Sequence, residues 1–234
     1  MISIYALKLQ TIEPEIFERL LLYTSEERRS KIRRFVRAED AQRSLMGDIL
    51  VKNIIAGELN IKKENAVISR NKFGKPYLEG RDDFHFNVSH SNEWVVCAAG
   101  GSPVGADIEY MAPIDPQFVE RFFSEDEFTD LILREPGLRG SYFYDLWTIK
   151  ESYIKAVGKG LFIPLDSFTV KVEKDGKIKF KSLFDSSKYH FSKYDLDGNY
   201  RVSLCSSDPV HNENIIIKEQ GRINDELLSD RCWS

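Results

Sequence analysis

The chain has 234 residues, 42% hydrophobic and 12% aromatic, which is enough apolar material for one large domain or two small ones and excludes a disordered segment. A formal charge of −4 argues against a dedicated nucleic-acid binder, and no apolar run is long enough to cross a membrane. Cys97, Cys205 and Cys232 have no metal-type spacing, and their odd number favours free thiols in a reducing cytoplasm over a disulfide framework.

Residues 1–9 alternate like a strand and lack the basic flank and apolar run of a signal peptide. Two short helical patterns follow at 14–23 and 25–37, the second opening on Ser25, Glu26 and Glu27 as N-terminal signals. Ala41, Leu45, Met46, Ile49, Leu50, Ile54 and Ile55 then recur at helical spacing, predicting a long helix from Ala38 that Gly57 stops. Short β-rich runs at 67–69, 77–78, 84–88 and 94–99 close this part of the chain near Gly100-Gly101-Ser102-Pro103.

From Val104 the order repeats. A strand is followed by helical patterns at 116–122 and 124–133, a long helix at 141–157, and strands at 168–173, 189–194 and 200–205. Phe84-His85-Phe86 echoes Tyr189-His190-Phe191, and the run 94–97 echoes 201–205, each late in its half. The fold class expected is α+β, as two pseudo-symmetric halves, 1–103 and 104–234, each a small sheet packed with a long helix, with the site at their interface. The polar tail after Ser206 goes with the second half and carries no assigned chemistry.

Two places carry chemistry. On the strand at 104–109, Val104, Ala106 and Ile108 face one way while Gly105, Asp107 and Glu109 face the other, so two carboxylates project beside a residue without a side chain. On the long helix, Glu151 shares a face with Trp147 and Ile154, an expensive place for an unpaired charge, and Lys155 follows four residues on. Taken singly, the acidic alternation is an ordinary solvated strand face, and Glu151 with Lys155 an ordinary helical ion pair worth about 0.3 to 0.5 kcal/mol. Taken together, three carboxylates and a cation suit a hard divalent ion beside a phosphate.

The turn Asn71-Lys72-Phe73-Gly74-Lys75-Pro76 can present Lys75 to an anion or simply to solvent, and Arg28 with Lys31 at i,i+3 can clamp a terminal phosphate. Ser89-His90 ends a strand in polar groups. Adjacent residues there point apart and no G-x-S-x-G elbow exists, so a Ser/His hydrolase is disfavoured.

These segments together resemble the Sfp-type 4′-phosphopantetheinyl transferases. The likeness is carried by Phe73-Gly74-Lys75-Pro76, Phe86-Asn87-Val88-Ser89-His90-Ser91, Gly105-x-Asp107-Ile108-Glu109, Arg121-Phe122-Phe123-Ser124 and Trp147-x-x-Lys150-Glu151-Ser152-x-x-Lys155, in the family's order and over nearly the whole chain. It implies a pseudo-symmetric pair of halves with coenzyme A between them, and transfer of phosphopantetheine to a serine of an apo peptidyl or acyl carrier protein. It further implies that Asp107, Glu109 and Glu151 hold Mg²⁺, with Mn²⁺ an acceptable substitute, and that Lys155 meets charge developing on the phosphates. By the same likeness Arg28, Lys31, Ser44 and His90 match positions around the 3′-phosphate, and Lys75 and Ser89 positions around the nucleotide.

Glu151, directly or through water, is the expected base for the carrier serine, with Glu109 as the alternative. Three departures stand out: Arg28 where lysine is usual, Ser44 where threonine is common, and Ala106 where a branched residue is usual. The carrier is expected to dock near the loop 111–124. Glu127 reads as an exposed helical glutamate that could also approach the metal. Two internal halves completing one site make a monomer the economical state. The competing readings are a metal-dependent phosphohydrolase acting on coenzyme A or a nucleotide, and a non-catalytic coenzyme A or carrier-protein binding module.

Overall fold

The computed structural model describes residues 1–114, 119, 121–182, 188–210 and 214–229, with the side chain of residue 161 left aside. Its first sheet runs in the order β11-β1-β5-β4, from β1 (Ile2–Lys8), β4 (His85–Ser91), β5 (Trp94–Gly100) and β11 (Ile216–Lys218). Its second runs β6-β10-β9, from β6 (Val104–Tyr110), β9 (His190–Tyr194) and β10 (Tyr200–Ser206). Strands β2 (Ile68–Arg70) with β3 (Pro76–Leu78), and β7 (Phe168–Val172) with β8 (Ile178–Ser182), form two small hairpins. The α+β class and the two halves expected from sequence are what the chain adopts. The echoed segments occupy matching places: β4 and β9 are the outer strands beyond β5 and β10, which pair antiparallel with β1 and β6.

Each half carries one 22-residue helix, α3 (Ala38–Leu59) in the first and α5 (Pro136–Val157) in the second. The apolar repeat of α3 is buried against Leu7, Phe86, Val95 and Cys97 of the first sheet. The opposite faces of the sheets meet in a shared core of Ile2, Ile4, Val96, Ala98, Ala106, Ile108, Val202 and Leu204, while α5 covers the far side of the second sheet through Phe143, Leu146, Ile149 and Tyr153. The alternation read from β6 is therefore literal: Val104, Ala106 and Ile108 point into the shared core, all 0% exposed, and Gly105, Asp107 and Glu109 point towards α5.

Gly105 sets how close strand and helix lie. A Cβ there would fall 2.1 Å from the Ser152 carbonyl oxygen and 2.3 Å from the Ala156 nitrogen, backbone that has nowhere to go. That contact brings the carboxylates of β6 beside Glu151 and Lys155.

Several boundaries differ from the sequence reading, each for a local reason. The helix α3 passes through Gly57 and ends at Asn60, which adopts the left-handed conformation at φ 49°; one exposed glycine costs only about 1 kcal/mol, less than the packing around it supplies. Pro136 starts α5 five residues before the expected Ser141, because proline at the first helical position lacks only an N–H that would be unpaired anyway. The second helix is shorter than expected, α2 (Glu26–Ile32), with Ser25 accepting a bond from the Arg28 N–H as its cap. Helix α1 (Pro14–Leu21) matches the first short pattern, and α4 (Glu125–Ile132) most of the 124–133 pattern. Of the expected helix at 116–122, residues 119, 121 and 122 are helical; residues 116–118 and 120 of it, and residues 115–118 and 120 of the expected docking loop 111–124, lie outside the described residues.

The tail, grouped with the second half in the sequence reading, returns to the first. β11 pairs in parallel with β1, and α6 (Gln220–Ser229) buries Ile223 and Leu227 in the core around α3. Gln220 seals the junction: its amide donates to the Gln10 carbonyl at 2.9 Å and its oxygen accepts from the Gln10 N–H at 3.0 Å.

Candidate functional site

The edges β4 and β6 meet through side chains. Asn87 Oδ1 accepts from the Ala106 N–H at 2.9 Å, and Ser91 Oγ accepts from the Tyr110 N–H at 3.0 Å while donating to Glu109 Oε2 at 3.1 Å. Along this seam opens a cavity of about 1610 Å³, walled by α2 and α3 on one side and by β6 and α5 on the other.

At the α5 side, Lys155 Nζ donates to Asp107 Oδ1 at 2.5 Å and to Ser89 Oγ at 2.9 Å, and Ser89 Oγ donates to the same Asp107 oxygen at 2.9 Å. The other oxygen, Asp107 Oδ2, is buried with no hydrogen-bond partner among the described residues, an arrangement that costs roughly 1 to 3 kcal/mol or more for a charged group. Glu109, bonded to Ser91 and Trp147, is pushed up to about 7, first by burial and then by the Asp107 charge. Burial also raises the Glu151 carboxyl above the usual carboxylate range; Lys155 opposes that shift and Asp107 adds to it. Three carboxylates thus share one ammonium.

Among the described residues no three His, Cys, Asp or Glu side chains stand grouped as a metal cage, and Asp107 Oδ1 is bonded to Lys155. The donor set nevertheless fits a hard divalent cation: all-oxygen, surplus in negative charge, and with Asp107 Oδ2 hydrogen-bonded to no described residue.

At the α2 side, Arg28 Nε and Nη2 donate to Asp48 Oδ2 and Oδ1 at 2.6 and 3.1 Å, and Nη2 also donates to Ser44 Oγ at 2.8 Å. Lys31 pairs with Glu27 at 2.5 Å on an exposed helical turn, and His90 is exposed on the cavity wall. The fold therefore gathers nine of the ten expected site residues, and Asp48 with them, into one cleft: Arg28, Lys31, Ser44 and Asp48 at one end, Ser89 and His90 between, and Asp107, Glu109, Glu151 and Lys155 at the other.

Lys75 stands apart. It does not line the cavity; its ammonium donates to the carbonyls of Val104 at 3.0 Å and Ala156 at 2.9 Å, and burial draws it down to about 8. With Asn71 Nδ2 on the Gly158 carbonyl at 3.1 Å, it joins the first half to the carbonyl end of α5, where a cation is favoured by the helix dipole. Glu127 departs further from expectation. It is 1% exposed rather than exposed, and away from the cavity: it takes two bonds from the buried Lys150, at 2.5 and 2.6 Å, while also accepting from the Val170 and Ser124 N–H groups. Asp48, Arg70 and Trp147 line the cleft without having been singled out as site residues; the only sequence signal for Asp48 was its i,i+4 spacing from Ser44.

Residues 103–205 match the family described as the 4′-phosphopantetheinyl transferase superfamily, and residues 12–102 match the 4′-phosphopantetheinyl transferase N-terminal family. The chain is 40% identical over 198 residues to 4′-phosphopantetheinyl transferase Sfp of Bacillus subtilis (strain 168), covering 85% of this chain and 88% of that one. The chain belongs to the 4′-phosphopantetheinyl transferase superfamily. A second relative, 4′-phosphopantetheinyl transferase gsp of Aneurinibacillus migulanus, is 40% identical over 197 residues, 83% of this chain and 81% of its own length. Among solved structures, a holo-(acyl-carrier-protein) synthase from Bacillus anthracis in complex with CoA (3′,5′-ADP) aligns over 45% of this chain and 94% of its own, at 21% identity and a TM-score of 0.40. The two family matches meet at residues 102 and 103, just before β6. No helix among the described residues is long and apolar enough to cross a membrane.

Proposed function

We propose that this phosphopantetheinyl transferase moves the 4′-phosphopantetheine group of coenzyme A onto a serine of an apo peptidyl or acyl carrier protein, releasing adenosine 3′,5′-bisphosphate. The observation that carries the reading is the charge layout of a single cleft, cationic and hydroxyl-bearing at the Arg28–Ser44 end and carboxylate-rich with one ammonium at the Asp107–Lys155 end. A pyrophosphate with a remote third phosphate is complementary to that layout. Arg28, Lys31, Ser44 and His90 take the 3′-phosphate, and Ser89 and Lys155 the pyrophosphate. Lys75 acts from behind, fixing the end of α5 on which Lys155 is carried.

Asp107, Glu109 and Glu151 would hold Mg²⁺, or Mn²⁺, since oxygen donors accept either. When bound, the ion neutralises pyrophosphate oxygens and lowers the barrier to displacement. The remaining work belongs to the chain. The serine hydroxyl attacks the β-phosphorus, its proton passes to Glu151, and the bridging oxygen leaves with the adenosine bisphosphate while Lys155 meets the charge that grows on the phosphates. A carboxyl raised by burial, as Glu151 is, holds a proton more readily than an exposed one, which suits a base. Tight metal ligation and proton abstraction compete for the same oxygens, so a bound water between serine and Glu151 completes the scheme. One chain supplies both walls of the cleft, and a monomer suffices.

Incubating an unmodified peptidyl carrier protein with the chain, coenzyme A and Mg²⁺ should add one phosphopantetheinyl group by intact mass, and EDTA should abolish the gain. Consumption of coenzyme A with no gain on several carrier types would contradict the transfer and leave a phosphohydrolase; neither gain nor consumption would leave a binding module.

A further inference from the structure

Asp48 is an acidic group on the wall of a cleft end that is otherwise arranged for an anion. It sits on α3 one turn after Ser44, so both face α2, and together they take three hydrogen bonds from Arg28. Two of those form a planar fork from Nε and Nη2 to the two Asp48 oxygens, the geometry that a guanidinium makes and an ammonium cannot. Of the five guanidinium N–H groups, the fork and Ser44 use those on Nε and Nη2, leaving Nη1 for a ligand. Arg28 and Asp48 are each about a quarter exposed, with side chains at 28% and 23%, so the pair sits at the cleft surface and not in the core.

We infer that Asp48 is a positioning residue that presets Arg28 for a phosphate monoester, and that this fork is how the chain accommodates arginine at position 28. An unclamped arginine carries several rotatable bonds, and the entropy of ordering it would be charged against binding. Held by Asp48 and by Ser44, it meets the phosphate with two donors already oriented. The carboxylate lowers the net charge at this end, where Lys31, paired with Glu27, still adds an ammonium and His90, drawn down by burial, adds a ring N–H donor. The inference rests on the reading that Arg28 meets the 3′-phosphate of coenzyme A.

The test compares coenzyme A with 3′-dephospho-coenzyme A as substrates of the Asp48→Asn, Arg28→Ala and Arg28→Lys variants. Asp48→Asn keeps the side-chain shape but loses one acceptor of the fork. It should raise KM for coenzyme A about tenfold, the worth of one hydrogen bond to a charged group, with kcat and the KM for the dephospho form changed by less than about twofold. In the Arg28→Lys background, where no fork can form, the same change should have little further effect. An equal rise in KM for both substrates would mark the fork as a mere strut between α2 and α3 and overturn the inference. So would a fall in KM for coenzyme A, which would show Asp48 repelling the phosphate. Arg28→Ala separates the two levels: loss confined to coenzyme A supports the 3′-phosphate reading whatever Asp48 does, and equal loss on both substrates overturns that reading and the inference with it.

Discussion

Replacing Glu127 with alanine is expected to lower the unfolding free energy by about 3 to 5 kcal/mol, because it leaves Lys150 charged and alone in the core. Both side chains are 0% exposed, and among the described residues Lys150 otherwise has the Phe168 carbonyl, at 2.8 Å, the faces of Phe123 and Phe168, and the more distant Asp166 charge. Burial already draws Lys150 below its ordinary value, and the Glu127 charge is the main opposing influence, so its removal leaves a group that must deprotonate or admit water. The cost extends to the backbone, since the Val170 and Ser124 N–H groups lose their acceptor. Joint replacement with Glu127→Leu and Lys150→Met should recover part of the loss by removing both charges. It cannot recover the two N–H groups. Urea unfolding followed by circular dichroism measures the effect; a loss below about 1 kcal/mol for Glu127→Ala would contradict the pairing.

Glu151→Gln is expected to cut turnover about 10²- to 10⁴-fold while the fold and coenzyme A binding at the Arg28 end persist, the range that a positioned general base contributes. Glutamine keeps the shape of the side chain between Trp147 and Lys155 on α5, both of which line the cleft with it, but it cannot accept a proton. The same change removes one of three carboxylates from the proposed ion site, so the divalent-ion concentration needed for half activity should rise as well. Single-turnover kinetics at saturating Mg²⁺ separates the effects: restored turnover at high ion concentration would leave Glu151 a ligand and not the base, and near-normal turnover throughout would remove both roles.

What could be read from sequence was what repeats locally. Period two on β6 placed Asp107 and Glu109 together, and helical spacing on α5 put Glu151 with Trp147 and Lys155; Gly105, the residue between, turned out to set the distance between those two elements. What could not be read depends on partners far along the chain. Glu125, Asp126 and Glu127 make an acidic first turn that looks solvated, although Ser124 three residues before Glu127 is a capping-box signal; only Lys150, 23 residues on, shows that the third acid is buried. Lys75 looked free because its partners are backbone carbonyls, which leave no mark in a side-chain pattern. The tail looked inert because a three-residue parallel pairing of β11 with β1 joins opposite ends of the chain and has no local signature.

The central claim is that one cleft between the halves holds coenzyme A, with its pyrophosphate at the carboxylates and its 3′-phosphate at Arg28. A crystal structure with coenzyme A and Mg²⁺ tests it most directly. The account predicts the ion among Asp107, Glu109 and Glu151, with the Asp107 oxygen that now lacks a partner among its ligands, and the 3′-phosphate within hydrogen-bond reach of Arg28 and Ser44. An ion bound elsewhere, or a nucleotide lying with its 3′-phosphate away from α2, would contradict it.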